Sequence, residues 1–223
     1  GPWLRAVCWD ESLAADEVVE RLSPLLETIG ARLGTRGAVV RGHRQNPHQE
    51  ALPGFTRLLG EPPPERLVVV EHGLRYGVDL AGAPHPGLFL DQRDTRRRVA
   101  RVAAGRRVAN LFAFTCSFSV VAAANDAEVV FSVDTARGCL RDGADNFALN
   151  GLVERGCGKF IQEDARRWLG RQERARLAKP EGFRPLDLVV CDPPVFSSVK
   201  EGGRFSVSRE WSALAGAVAA LLS

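Results

Sequence analysis

Residues 106–134, RRVANLFAFTCSFSVVAAANDAEVVFSVD, decide the fold. RRVANLF is an apolar strand, residues 117–124 are a helix of small residues, and EVVFSVD is a second strand that ends in an acid. Strand, helix and strand within about 30 residues make a crossover unit, whose strands pair in parallel. The alternation continues in both helices and strands. Residues 136–150 read as a helix closed by Gly151, KFIQED (159–164) as a short strand, residues 164–179 as a helix opening at an N-cap-like acid, LDLVVCD (186–192) as a strand, and residues 208–222 as a helix. The expected fold class is therefore α/β, with a doubly wound, Rossmann-like sheet over residues 86–223. Only four strands of that sheet are visible. A sheet of this type normally continues, so its C-terminal strands are expected to be missing: the edge is open, supplied by another chain, or absent because this is a fragment, and an uncovered edge would favour self-association.

Residues 1–85 read differently, as a small N-terminal α+β subdomain. Val18, Val19, Leu22, Leu25, Leu26, Ile29 and Leu33 recur at three- and four-residue steps, which predicts a helix with Pro24 as a kink and Gly34 as a stop. AVVRG (38–42) is a short strand. Residues 43–65, with Pro47, Pro53, Pro62, Pro63 and Pro64, read as a long polar loop or projecting arm. RLVVVEHGLRYGVDL (66–80) is two apolar runs around His72-Gly73, a hairpin by its turn chemistry.

With 223 residues, 45% of them hydrophobic and 26% charged, the chain can bury one substantial core and a smaller one. No apolar run approaches the roughly 20 residues that cross a bilayer, and GPWLRAVCWDE carries acids where a signal peptide needs apolar residues. The expectation is a cytoplasmic protein without a membrane partner. Gly1-Pro2 and the absence of methionine suggest a processed or excised piece. Cys8, Cys116, Cys139, Cys157 and Cys191 show no CxxC pair and no histidine at ligand spacing, so reduced thiols are expected. His43 and His48 share a polar loop but make no metal site by themselves. The net charge of +3 is modest, yet arginines cluster at Arg36, Arg41, Arg44 and Arg57 and again through residues 91–107. Such runs are solvated helix faces unless an adjoining site has nucleic-acid chemistry, in which case they hold phosphates.

Three successive strands end in a carboxylate, at Asp134, Asp164 and Asp192. In a doubly wound sheet the ligand crevice lies at these ends, near the switch in strand order. Asp134 stands 19 residues beyond Thr115, the spacing at which an acid accepts hydrogen bonds from a ribose diol; alternatively it caps the helix beginning near Ala136. Asp164 can accept from the exocyclic amine of adenine or cap its own helix. Asp192 opens DPPVF, where Pro193 and Pro194 fix the backbone and present carbonyls and Phe196 to the reacting end of a pocket. The turn after the first strand, FTCS (114–117), has neither GxGxxG nor a P-loop lysine for a pyrophosphate. A cationic sulfonium cofactor without phosphates needs only a close turn of small or polar residues. S-adenosylmethionine therefore fits better than NAD or ATP.

GLFLDQRDTRR (87–97), NLFAFTCSFSV (110–120), SVDTARGCLRDGADNFALNGL (132–152) and LVVCDPPVFSSVK (188–200) together resemble the successive motifs of the large-subunit ribosomal RNA methyltransferases of the K/I type, class I S-adenosylmethionine enzymes. The resemblance covers about residues 66–212. It implies that Phe112, Thr115, Cys116 and Ser117 flank the amino-acid end of the cofactor, that Asp134 holds the ribose and Asp164 the adenine, and that Phe89, Asp91, Gln92 and Arg93 close over from the other side. Asp192, Pro193, Pro194 and Phe196 would line the methyl-transfer site. The hairpin before this segment would belong to an accessory, substrate-positioning subdomain. The family pattern FxYTGSFS is broken at Phe114 and Cys116, and a side chain at Cys116 would crowd the methionine portion of the cofactor.

Within the family two acceptors are open. Methylation at a pyrimidine C5 needs a cysteine nucleophile, which in C5-methylating relatives comes from a motif later than any in this chain; Cys191 reads as a packed thiol. Guanine N7 is already nucleophilic and needs no covalent step, and DPPVFSSVK followed by REW resembles that branch. The target base would be flipped or single-stranded, with Phe196 as a stacking surface or else a core residue. Two other readings remain: a methyltransferase for a protein or small molecule, and a non-catalytic RNA-binding subunit that keeps the fold.

Overall fold

The computed structural model describes residues 2–10, 12–42, 54–82, 85–194, 196–199 and 203–222, with side chains undescribed at 196–199 and 203–204. Arg44, His43, His48, Pro47 and Pro53, and the side chain of Phe196, lie outside the described residues. The contacts divide the chain into two compact units, Gly1–Val69 with Gly77–Gly87, and Val70–Tyr76 with Leu88–Ser223.

In the first unit β1 (Trp3–Cys8) leads into α1 (Ala15–Leu33), and β2 (Gly37–Gly42) then pairs with β1 in parallel. The apolar face of α1 follows its three- and four-residue pattern. Val18 and Leu26 pack with Ala38 and Val40 of β2. Pro24 lies inside α1, and Gly34 ends it in the left-handed region at φ 64°, donating its N–H back to the Gly30 carbonyl. A third strand, β3 (Phe55–Gly60), pairs antiparallel to β2. It falls inside the proline-rich stretch expected to be a loop. The five prolines flank FTRLLG rather than interrupt it, so the segment supplies every ladder N–H that β2 requires.

The hairpin is β4 (Leu67–Glu71) and β5 (Leu74–Val78), joined by His72 and Gly73 at φ 51° and 83°. Two consecutive positive φ angles are what a two-residue turn with the right-handed strand twist demands.

The second unit carries the main sheet. α2 (Arg93–Val102) precedes β6 (Arg107–Leu111), α3 (Ser117–Ala124), β7 (Val129–Asp134), α4 (Arg137–Leu149), β8 (Gly158–Gln162), α5 (Ala165–Ala178) and β9 (Leu188–Cys191). A short antiparallel pair, β10 (Phe196–Val199) and β11 (Gly203–Ser206), then leads into α6 (Val207–Ala219). The four-stranded sheet has the order β8-β7-β6-β9 and is parallel throughout. α3 contacts both α2 and α4 in one layer, and α5 and α6 contact each other in the other. Ala109, Leu111 and Val133 are wholly buried against Trp168, Leu169, Leu214 and Leu221. Strands covered on both faces must be apolar without alternation, which is why VVFSVD and LVVC carry so few polar residues.

Candidate active site at the strand ends

The chain runs outward from β6 through β7 to β8 and then returns to the other side of β6 with β9. The crevice of such a sheet opens where the order reverses, between the loops that leave β6 and β9. Those loops carry residues 112–116 and Asp192.

The loop after β6 is tightly held. Phe112, Phe114 and Cys116 all have positive φ, at 56°, 48° and 61°. A left-handed conformation costs a side-chain-bearing residue about 1–2 kcal/mol, so three in five residues persist only because the surroundings fix them. The fixing contacts are explicit. Phe114 donates its N–H to Asp134 Oδ2 at 2.8 Å, and Asn146 of α4, fully buried, donates its amide to the Thr115 carbonyl at 3.0 Å. Beneath the loop, Asn110 donates to Ser119 Oγ at 2.9 Å and Ser132 Oγ donates to the same hydroxyl at 2.8 Å, joining β6, β7 and α3 in the dry interior. Asn110, Ser132 and Asn146 escaped the sequence reading. Their signal was a polar residue in an otherwise apolar run, which a buried position tolerates only when hydrogen-bonded.

Cys116 packs inward. Its side chain is wholly buried with Ala113 and Leu140, and its sulfur lies against Gly143 of α4. A Cβ on Gly143 would sit 2.8 Å from Cys116 Cβ and closer still to its sulfur. Burial pushes the thiol up to about 12. The side chain missing from one helix thus makes room for the side chain added to the loop, and Ser117 opens α3 directly after it.

Asp134 accepts from Phe114 N–H through one oxygen and from Ala136 N–H through the other, both at 2.8 Å. It is not a helix cap, since the residue before α4 is Ala136 and has no capping side chain. Asp164 is a cap: its carboxylate accepts from the N–H groups of Arg166 at 2.9 Å and Arg167 at 3.3 Å. The Arg166 guanidinium adds two further bonds to it and reaches Glu210 of α6 with its remaining nitrogen. Burial alone would raise Asp164; the Arg166 hydrogen bonds and charge outweigh it and hold the carboxyl below its ordinary range. Asp134 and Asp164 share a small cleft with Phe112, Thr135, Glu163 and Phe205, and the Phe112 and Phe205 rings meet at 5.3 Å.

Asp192 is different. The residue is exposed, and Gln92 Nε2 donates to its Oδ2 at 3.4 Å across 100 residues of sequence. Partial desolvation, with the nearby Asp91 carboxylate, holds Asp192 above its ordinary range. Phe89 lies against Phe114 with ring centroids 5.4 Å apart. The segment before α2 therefore reaches the ends of both β6 and β9. Arg93 instead donates to Nε2 of His72 at 3.2 Å, at the hairpin turn. Pro193 and Pro194 follow Asp192 outside any regular element, and Phe196 opens β10. Among the described residues no group of three or more His, Cys, Asp or Glu is placed to hold a metal, and no helix is long and apolar enough to cross a membrane.

The comparisons with known proteins agree with this geometry. A ribosomal RNA large subunit methyltransferase K/L from Shewanella sp. (strain W3-18-1) is 39% identical over 158 residues, covering 70% of this chain and 21% of the relative. A ribosomal RNA large subunit methyltransferase I from Erwinia tasmaniensis is 37% identical over 139 residues, covering 62% and 33%. A methyltransferase solved complexed with SAH superposes with a TM-score of 0.75 at 27% identity, over 92% of this chain and 50% of that one. The chain thus spans about a fifth of the K/L relative and half of the solved methyltransferase. The family described as S-adenosylmethionine-dependent methyltransferase matches residues 15–222, and the resemblance first carried by four sequence motifs holds across nearly the whole chain: it belongs to that family.

Proposed function

We propose that this chain methylates a base of large-subunit ribosomal RNA, with guanine N7 as the acceptor in preference to cytosine C5. The observation that carries the reading is the meeting of Phe89 and Gln92 with Phe114 and Asp192 at the switch point of the sheet, which assembles one site from both sides of the β6 and β9 ends.

When bound there, S-adenosylmethionine supplies a methyl group on a cationic sulfur. The donor set suits such a ligand, because among the described residues the crevice offers Asp91, Asp134 and Asp192, and the turn after β6 carries neither GxGxxG nor a P-loop lysine for phosphates. In this reading Asp134 holds the ribose diol, Phe112, Thr115, Cys116 and Ser117 form the turn beside the amino-acid end, and Asp164, bound by its own helix and Arg166, walls the adenine end. Phe89, Gln92 and Arg93 close the site, while Asp192, Pro193, Pro194 and Phe196 line the acceptor side. Their work is alignment for an in-line displacement and a negative field around the sulfonium. The acceptor base is flipped or unpaired to reach them.

Support for N7 comes from DPPVFSSVK followed by REW, which resembles that branch, and the described thiols do not speak for C5 chemistry. Burial pushes Cys191 up to about 11, with Asp192 adding to it, and pushes Cys139 to about 11 and Cys116 to about 12. None of these three is poised to form the thiolate that attack on a pyrimidine ring requires.

Calorimetric titration with S-adenosylmethionine and SAH tests the site. Saturable binding is expected, with Asp134→Ala weakening it at least about tenfold, the loss of one hydrogen bond to a charged group. No binding by the folded protein overturns the catalytic reading. Methyl transfer to ribosomal RNA followed by nucleoside analysis tests the acceptor: 7-methylguanosine is expected, and 5-methylcytidine overturns that assignment.

A further inference from the structure

A groove of about 490 Å³ runs between the hairpin turn, α2 and α3, away from the residues just assigned. Two buried polar atoms of the residues lining it, Tyr76 Oη and Arg96 Nη1, have no hydrogen-bond partner among the described residues. Both residues are about 1% exposed. Arg96 spends its other nitrogens on Glu71, in a bidentate pair at 2.6 and 2.9 Å, so its remaining donor is free and its charge is cancelled. Burial raises the Tyr76 hydroxyl above its ordinary range and keeps it protonated, a donor without an acceptor.

The rim is cationic. Arg97 and Arg101, exposed and one helical turn apart on α2, both line the groove, and His72 lies at the hairpin turn opposite. Arg93, one turn before Arg97, joins α2 to His72 and stands beside Gln92, which touches Asp192. With the Glu71–Arg96 pair neutral, the groove keeps two uncancelled positive charges above two unused donors. That set suits an anion with several acceptor oxygens.

We propose that this groove seats one phosphate of the RNA backbone. Arg97 and Arg101 neutralise it from the rim, and the Tyr76 hydroxyl and Arg96 Nη1 turn to it from beneath. The proposal rests on RNA being the substrate, and it makes α2 a track leading from the phosphate to the strand-end site.

Tyr76 is the single tyrosine of the chain, so 3-fluorotyrosine labelling gives one fluorine signal that reports the groove. The signal should move saturably with inorganic phosphate and with a short oligoribonucleotide, and stay in place with sodium chloride at matched ionic strength. Arg97→Gln with Arg101→Gln should abolish the movement and lower the slope of log affinity for RNA against log salt by about 0.7 per lost phosphate contact. Tyr76→Phe, which keeps the ring but removes the fluorine reporter, should weaken binding of the oligoribonucleotide about tenfold when read by calorimetry. Cofactor titration of each variant should match the parent. A signal unmoved by phosphate and by RNA, in a protein that still binds and methylates RNA, overturns the groove and leaves the proposed function standing; water then satisfies the two buried groups. Movement with phosphate but none with RNA overturns the backbone assignment, whereas the RNA reading falls only if methyl transfer to RNA fails as well.

Discussion

Asp164 and Asp192 look alike in sequence, each an acid just beyond a parallel strand, yet the structure uses them in opposite ways. Asp164 is saturated: its carboxylate accepts from two helix N–H groups and a guanidinium, and that guanidinium is braced by Glu210. Among the described residues Asp192 has one long bond, from Gln92, and feels the charge of the nearby Asp91 carboxylate. Helix placement makes the difference. α5 begins at Ala165, immediately after Asp164, so its unpaired N–H groups fall on that side chain. After Asp192 two prolines remove the N–H groups and forbid an immediate helix. An acid at a strand end is therefore structural where a helix starts at once, and available where none does.

The largest expected effect follows from that contrast. Asp164→Ala removes the cap of α5 and the partner of Arg166, and should cost about 2 kcal/mol of stability. Asp164→Asn keeps the cap and should recover about half of it. Asp192→Ala should leave stability nearly unchanged while weakening methyl transfer. Urea unfolding of the three variants measures this, and an Asp192→Ala loss as large as that of Asp164→Ala would erase the distinction.

The loop after β6 asks whether a third strand end belongs with the committed or the available class. Cys116 occupies the space that Gly143 leaves. Gly143→Ala should therefore overpack the α3–α4 contact by about 1–2 kcal/mol, although alanine is the better helix former. In the background of Cys116→Gly the same change should become neutral or favourable, because the sulfur is gone and φ 61° suits glycine. A double-mutant cycle by thermal unfolding gives the coupling, and additive effects would show that the two positions do not share the space.

Much of this was legible beforehand. The parallel sheet, its four strands and the three acids follow from apolar runs that alternate with helices at fixed spacing, and α3 spans the residues that small-residue composition marked. The hairpin was legible because His72-Gly73 allows only one kind of turn there. β3 was not, because prolines that flank a strand look the same in sequence as prolines that break one. The partition of the acids was equally hidden. Arg166 and Glu210 are 44 residues apart and Gln92 and Asp192 are 100 apart, and no local pattern links them. Nor does any local pattern link Cys116 to Gly143, because that glycine lies on another helix.

The smallest effect is the sharpest, because its sign separates the two acids. Asp164 has a lowered pKa in the folded protein, so its ionised form contributes stability that is present above the ordinary value of 3.8 and lost as pH falls below it. Asp192 has a raised one, so its ionised form opposes folding above the folded-state pKa, and the penalty fades as pH falls through that pKa toward 3.8. At neutral pH Asp192→Asn, which still offers Gln92 an acceptor, should raise the melting temperature by no more than about 2 °C, whereas Asp164→Asn lowers it. Well below pH 3.8, once Asp164 as well as Asp192 is protonated in the parent, the two variants should converge on it from opposite sides. Melting temperatures from pH 7 down to acid unfolding give the comparison directly. An Asp192→Asn protein that melts lower than the parent at neutral pH would mean that this carboxylate, too, is held by the fold rather than left to the substrate.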